Sequence, residues 1–166
     1  AALRGHLPHR RAPRSEADAG RGIEAMVYRI HSGCTGCTAC ARQCPTRAIR
    51  GQPGARHVID AALCVDCGVC GWICPVPSTV SNPSGAFVPR LPRALRPAPR
   101  VDRETCNGCG ACVDVCPFGS LARDGDAFRG WVHLAHPETC VRCGLCEDLC
   151  IKRAIRSEPS REERDG

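Results

Sequence analysis

Apolar positions in this chain gather in short, often β-branched runs separated by turn residues, a pattern that predicts short strands and loops. The run Ala25-Met26-Val27-Tyr28-Arg29-Ile30 suits a strand delivering the chain to Cys34. Ala48-Ile49 and Val58-Ile59 flank Gly51-Gln52-Pro53-Gly54, which reads as a turn between two short strands. Farther on, Gly125-Asp126 marks a turn between Ser120-Leu121-Ala122 and Phe128-Arg129-Gly130-Trp131-Val132. Between these regions Pro75, Pro77, Pro83, Pro89, Pro92, Pro97 and Pro99 break any regular helix or central strand. Residues 1–22, rich in Arg, Ala, Gly and Pro, show neither period and read as an extended arm, and Ser157 to Gly166 as a polar tail.

Four copies of one cysteine spacing punctuate this pattern: Cys34, Cys37, Cys40 and Cys44; Cys64, Cys67, Cys70 and Cys74; Cys106, Cys109, Cys112 and Cys116; Cys140, Cys143, Cys146 and Cys150. Two residues separate successive members of each triplet and three precede the last cysteine, which is followed by Pro45, Pro75, Pro117 and, in the fourth copy, Ile151. Together the copies use all 16 cysteines, the bookkeeping of four 4Fe–4S clusters with four thiolates each. Lead-ins repeat too, with Asp60 ahead of Cys64 and Asp102 ahead of Cys106 placed to cap the turn that opens the loop, and His136-Pro137-Glu138-Thr139 a looser copy before Cys140. Exits match between Cys44-Pro45-Thr46-Arg47-Ala48-Ile49 and Cys150-Ile151-Lys152-Arg153-Ala154-Ile155.

This chemistry changes how composition and charge are read. A chain of 166 residues with two Trp, one Tyr and three Phe buries little apolar surface, so bound clusters must supply much of its folding energy. The formal charge of +6 counts thiols as neutral; sixteen thiolates and four oxidised cores bring the loaded protein to about −2. That weakens the nucleic-acid reading, as do scarce aromatics and a missing RNA-binding signature. Basic residues cluster at Arg4, Arg10, Arg11, Arg14 and Arg21 and again at Arg90, Arg93, Arg96, Arg100 and Arg103, where they could grip an acidic partner surface or simply stay solvated. Cysteine richness could also mark a secreted disulfide scaffold. Yet no apolar stretch follows Arg10-Arg11 and none later approaches membrane-spanning length, so the expected setting is cytoplasmic.

Zinc is the chief chemical rival, but structural zinc sites join separated cysteine pairs, whereas here a third close cysteine and a fourth after three residues form each set. Gly36, Gly108, Gly68, Gly110 and Gly144 let the loops curl around inorganic sulfur. Val65, Val69, Ile73, Val113, Val115, Val141, Leu145, Leu149 and Ile151 are placed to keep water off the cores. Ile151 keeps apolar bulk without proline's restraint, which makes Cys150 the least conventional ligand. Trp72, Trp131 and Tyr28 read as packing groups. None of His6, His9, His31, His57, His133 and His136 shows metal spacing, although His31 lies three residues before Cys34.

Over residues 25–156 these motifs resemble bacterial-type two-cluster ferredoxins, present here twice in tandem. The resemblance implies an α+β fold of two tandem ferredoxin-like βαββαβ modules. Their boundaries are expected as a basic arm at 1–22, domains at 23–76 and 101–157, a Pro/Arg-rich connector at 77–100 and a tail at 158–166. In that family the last cysteine of each motif ligates the neighbouring cluster. Carried over, this gives sets of Cys34, Cys37, Cys40 with Cys74; Cys64, Cys67, Cys70 with Cys44; Cys106, Cys109, Cys112 with Cys150; and Cys140, Cys143, Cys146 with Cys116. A nested alternative, motif one with four and two with three, stays open.

The four-cluster arrangement is also similar to polyferredoxin subunits of tungsten or molybdenum oxidoreductases, including aldehyde oxidoreductases, and of hydrogenases and formate dehydrogenases. It implies a non-catalytic electron relay, with no small-molecule substrate site, between a large catalytic subunit and a second electron-accepting subunit, with repeated or filamentous assembly as a further expectation. A freely diffusing polyferredoxin and a cluster-braced nucleic-acid-binding module are the alternatives.

Overall fold

The computed structural model describes residues 27–158; the expected basic arm and polar tail, apart from Ser157 and Glu158, lie outside them. Two successive stretches run through the same sequence of elements. The first holds β1 (Arg29–Ile30), α1 (Ala39–Gln43), β2 (Ile49–Arg50), β3 (Val58–Ile59), α2 (Val69–Ile73) and β4 (Val80–Ser81). The second holds β5 (Ala98–Val101), α3 (Ala111–Asp114), β6 (Leu121–Asp124), β7 (Trp131–Leu134), α4 (Leu145–Leu149) and β8 (Ile155–Glu158). In each stretch the outer strands pair antiparallel with one another, as do the inner ones: β1 with β4, β2 with β3, β5 with β8, β6 with β7. The described residues thus form a small mixed helix and strand fold with four two-stranded sheets. Among the described residues no helix is long and apolar enough to cross a membrane.

Both inner hairpins form where the turn residues point. Ile49 faces Ile59 across β2–β3 and Leu121 faces Leu134 across β6–β7, with Gly54 and Gly125 each supplying a φ of 80° in the connecting loop. Cross-strand aliphatic pairs and a turn able to adopt positive φ are what a hairpin of this length needs. Asp60 and Asp102 also act as their spacing suggests: their Oδ1 atoms accept from the Ala62 and Glu104 amides, each at 3.0 Å.

Residues 77–100 do more than connect. Val80–Ser81 forms β4 and completes the first outer sheet, and β5 starts at Ala98, inside the stretch assigned to the connector. Proline tolerates this because the β1–β4 ladder is two residues long and none of its residues is proline, while Pro99 sits in a sheet of only two strands. After β4 the chain folds back, with Val88 donating its amide to Val80 (2.8 Å) and Leu91 to the Trp72 carbonyl (2.9 Å). Val88 and Leu91 thereby cover α2, all five residues of which are buried. Arginines then strap this segment down: Arg96 Nε donates to the Leu91 carbonyl at 3.0 Å, Arg93 to the Pro137 carbonyl, and Arg142 to the Arg96 carbonyl.

Among the described residues three buried clusters form the core. Tyr28, Ile49, Cys70 and Val80 centre the first half, and Cys112, Leu121, Val132 and Ile155 centre the second. Val69, Trp72 and Ile73 of α2 join Val141 of the fourth motif in the third cluster. Trp72 is thus a packing group, while Trp131 lies under the Arg103 guanidinium, 3.9 Å from the ring centre.

Candidate metal centres

In every cysteine loop two residues reverse the backbone: Gly36 and Thr38, Asp66 and Gly68, Gly108 and Gly110, Arg142 and Gly144, with φ from 52° to 87°. The reversals fall on either side of the second cysteine and turn the triplet inward onto a single-turn helix that carries the third cysteine. Glycine is demanded by space at two of these positions. A Cβ on Gly36 would lie 2.4 Å from the Ala55 nitrogen, and one on Gly108 would lie 2.5 Å from the Gly130 oxygen, because the hairpin loops close over the first and third motifs.

The last cysteine of three motifs leaves its helix in one common geometry. Arg47, Gly119 and Arg153 each take positive φ, and their amides bond the carbonyls of Cys44, Cys116 and Cys150. The next amide, from Ala48, Ser120 or Ala154, points at the sulfur of the same cysteine at 3.3, 3.4 or 3.3 Å. Such N–H···S bonds orient a thiolate and stabilise its charge. Cys150 therefore has the common exit although Ile151 replaces proline. The departure is at Cys74: Ser78, one residue later, takes the positive φ, and the Cys74 thiol donates to the Val76 carbonyl at 3.4 Å.

Cysteines from different motifs converge on shared cavities. Cys34, Cys37, Cys40 and Cys74 line one, with Ile30, Val76 and Val80 as apolar walls. Cys64, Cys67, Cys70 and Cys44 line the second, walled by Ile49, Ile59 and Val69. Cys140, Cys143, Cys146 and Cys116 line the third, walled by Phe118, Leu134 and Leu145. Cys106, Cys112 and Cys150 pack against one core, and the charges of Cys106, Cys109 and Cys150 all act on Cys112. All sixteen thiols are free of disulfides.

Burial is the leading cause that pushes these thiols up: Cys40 and Cys112 to about 11, Cys67 and Cys146 to about 12, Cys70 well above its ordinary value. Crowding by neighbouring sulfurs adds to it. A metal that replaces these protons answers both penalties together. Four thiols around one cavity, with apolar walls and amides aimed at sulfur, fit an iron–sulfur core.

Two expectations about the surroundings change. Leu149 is 44% and Ile151 89% exposed, so neither shields a core; Val65, Val69 and Leu145 do line the cavities. His31 bonds Ser81 Oγ at 2.8 Å and stands edge-on to Phe87, tying β1 to β4. His57 is assigned no role by the sequence, since it shows no metal spacing. It is 1% exposed and lines the cavity of Cys34, with Nδ1 donating to the Ala55 carbonyl at 3.1 Å and Nε2 buried without a protein partner. Of the described arginines, Arg42, Arg93 and Arg96 share a groove beside Cys140 with Glu138.

Comparison with known proteins agrees with this chemistry. Residues 15–78 match the 4Fe-4S dicluster domain, and residues 99–121 and 140–154 match two models of the 4Fe-4S binding domain. A ferredoxin-like protein in the nif region of Sinorhizobium fredii is 43% identical over 61 residues, covering 32% of this chain and 94% of that protein. Ferredoxin-2 of Chlorobaculum tepidum is 40% identical over 57 residues, covering 31% of this chain and 90% of its own length. The ferredoxin-like protein in the nif region of Trichormus variabilis is 45% identical over 42 residues, 25% of this chain, and the match spans only 36% of that relative. Among solved structures, a chain of the formate dehydrogenase–heterodisulfide reductase–formylmethanofuran dehydrogenase complex from Methanospirillum hungatei aligns at 24% identity and a TM-score of 0.35, covering 75% of this chain and 52% of that one.

Proposed function

Because this chain belongs to the 4Fe–4S ferredoxin family, we propose that it relays single low-potential electrons through four 4Fe–4S clusters as a subunit of an oxidoreductase complex. It is a ferredoxin-type electron-transfer protein. In the proposed ligation Cys34, Cys37, Cys40 and Cys74 hold one core; Cys64, Cys67, Cys70 and Cys44 the second; Cys106, Cys109, Cys112 and Cys150 the third; Cys140, Cys143, Cys146 and Cys116 the fourth. The observation that carries this reading is reciprocal: Cys74 lines the cavity of the first triplet, and Cys44 that of the second. The strand, helix, strand, strand, helix, strand order of each half supports two βαββαβ modules of the two-cluster type.

When bound, each core supplies a reversible one-electron change. The chain's own part is to hold and insulate. Amides of Ala48, Ser120 and Ala154 bond the last sulfurs, and apolar walls keep water off so that little rearranges as charge arrives. No side chain needs to act as acid, base or nucleophile in this role, so the protein is proposed to be non-catalytic. A large catalytic oxidoreductase subunit on one side and a second redox subunit on the other are the proposed partners, in a reducing cytoplasmic setting that keeps sixteen thiols free. A tungsten- or molybdenum-dependent aldehyde oxidoreductase is the first catalytic partner to test.

Anaerobic purification followed by metal, sulfide and partner identification tests this. About sixteen iron and sixteen sulfide per chain are expected, with resonances of interacting reduced clusters and a co-purifying redox subunit. Zinc without labile sulfide would overturn it; nickel or a diiron centre in the partner would replace the aldehyde oxidoreductase by a hydrogenase.

A further inference from the structure

The two halves meet at one apolar patch. Val69, Trp72 and Ile73 of α2 are buried against Val141, and Cys67 and Cys143 both pack against this group, with Phe118 closing its edge. Val141 lies between Cys140 and Cys143 in the fourth loop, while Val69 lies between Cys67 and Cys70 in the second. The patch is thus built from the loops of motifs two and four, and it brings the middle cysteine of each to the same seam.

Resting on the ligation proposed above, we propose that electrons cross between the halves at the seam of Cys67 and Cys143, so that the path runs through motifs one, two, four and three. Spatial order departs from chain order in its last two members. Within each half the link is the crossed cysteine: Cys44 lines the cavity of the second triplet, Cys74 that of the first, and Cys116 that of the fourth. Cys40 also borders the apolar patch, but Val69, Trp72 and Ile73 at its centre belong to the helix of the second motif. The ends of the path are then the first and third motifs. Cys37 is exposed at the first, where a redox partner can approach closely.

The test removes sites in pairs from the full chain. Cys37→Ala with Cys109→Ala leaves the sets of motifs two and four; Cys64→Ala with Cys140→Ala leaves those of motifs one and three. Each double variant should retain about eight iron per chain. After reduction, electron paramagnetic resonance should show split, mutually coupled signals in the first variant and two independent signals in the second. Coupling in the second, or its absence in the first, overturns the path order, whereas a wild-type chain without iron and sulfide overturns the ligation itself. Trp72→Leu, which keeps every cysteine and alters no residue lining a cluster cavity, decides the case if a double variant loses all its iron. It should leave the iron content unchanged and slow electron exchange between halves severalfold, read from the broadening of cysteine β-proton resonances in partly reduced protein. Unchanged line shapes overturn the proposal.

Discussion

Motifs two and four share a cysteine spacing and a loop conformation but not a packing environment. Around α2 all five residues are buried, roofed by Val88 and Leu91 and backed by Val141. Around α4 none is buried, and Leu149 and Ile151 face solvent. The supporting sheets invert this contrast: the strands of the first half pair over two residues each, and those of the second over four. Identical ligand spacing therefore specifies the local curl around sulfur and leaves the means of support open. The first half is held from outside by the segment that follows it and by its neighbour, the second by its own longer ladders.

The sharpest way to break this comparison is to remove one crossing ligand from each half. Cys44→Ala and Cys116→Ala each take the last thiolate from a neighbouring triplet's cavity. Each variant should lose about four iron per chain, those of the site it ligates. The site that remains should bleach severalfold faster in Cys44→Ala than in Cys116→Ala, because two-residue strands hold the remaining loop less firmly than the longer sheets of the second half. Equal bleaching rates of the surviving sites, followed by absorbance without oxygen, would show that the ladders do not matter.

Next in size is the contrast between the helices themselves. Trp72 is 7% exposed at the centre of the joining cluster, so Trp72→Ala should lower stability by about 3–5 kcal/mol. Leu149→Ala, at the last position of α4, which corresponds to Ile73 of α2, should stay within about 0.5 kcal/mol. Guanidinium-induced bleaching of the cluster absorbance, followed without oxygen, reports both; its rate is the meaningful quantity, since cluster loss is irreversible. A Leu149→Ala chain that bleaches as fast as Trp72→Ala contradicts the packing difference.

Smaller again is the contrast among loop glycines. Gly36→Ala meets both a left-handed backbone and the Ala55 nitrogen, whereas Gly144→Ala, at the same φ region with nothing within 4 Å, meets only the backbone cost. Gly144→Ala should cost about 1 kcal/mol, and Gly36→Ala about 1–3 kcal/mol more for the displaced hairpin loop. Equal bleaching rates for the two would mean that the hairpin does not press on the first motif.

How much of this was legible follows from where each constraint resides. The cysteine loops were, because their spacing and the glycines at five of the eight reversal positions are local. Thr38, Asp66 and Arg142 take the same conformation without the residue that advertises it, since burial of the surrounding loop outweighs a modest local cost. Both inner hairpins were legible from Gly54 and Gly125. The β4 strand was hidden by prolines that fall outside its paired residues, and a two-residue strand has no period to detect. The roof over α2, the exposure of Ile151 and the burial of His57 depend on contacts between distant segments, which no local pattern encodes. The odd exit at Cys74 hides behind a normal Cys-Pro pair, while the irregular Cys150-Ile151 pair folds in the common way.

The two capping aspartates allow the finest comparison. Asp60 accepts from the Ala62 amide and pairs with Arg50 at 3.4 Å, both groups solvent-facing. Asp102 accepts from the Glu104 amide at 3.0 Å and, through its other oxygen, from the Thr105 hydroxyl at 2.6 Å. The Thr105 hydroxyl is the larger cause, with the Glu104 amide second, holding the Asp102 carboxyl below its ordinary range. A carboxyl whose folded value is depressed contributes stability above its unfolded value, and that contribution fades as pH falls through the folded value. Asp102→Asn should therefore leave bleaching at this cap nearly unchanged as pH falls through and below the ordinary carboxylate range, while the parent loses a small increment over the same fall. Thr105→Val should reproduce most of the change, because it removes the first-ranked donor and keeps the charge. If Thr105→Val leaves the pH profile of bleaching identical to the parent's, the hydroxyl is not what sets the Asp102 carboxyl, and the second half's cap works as the first half's does.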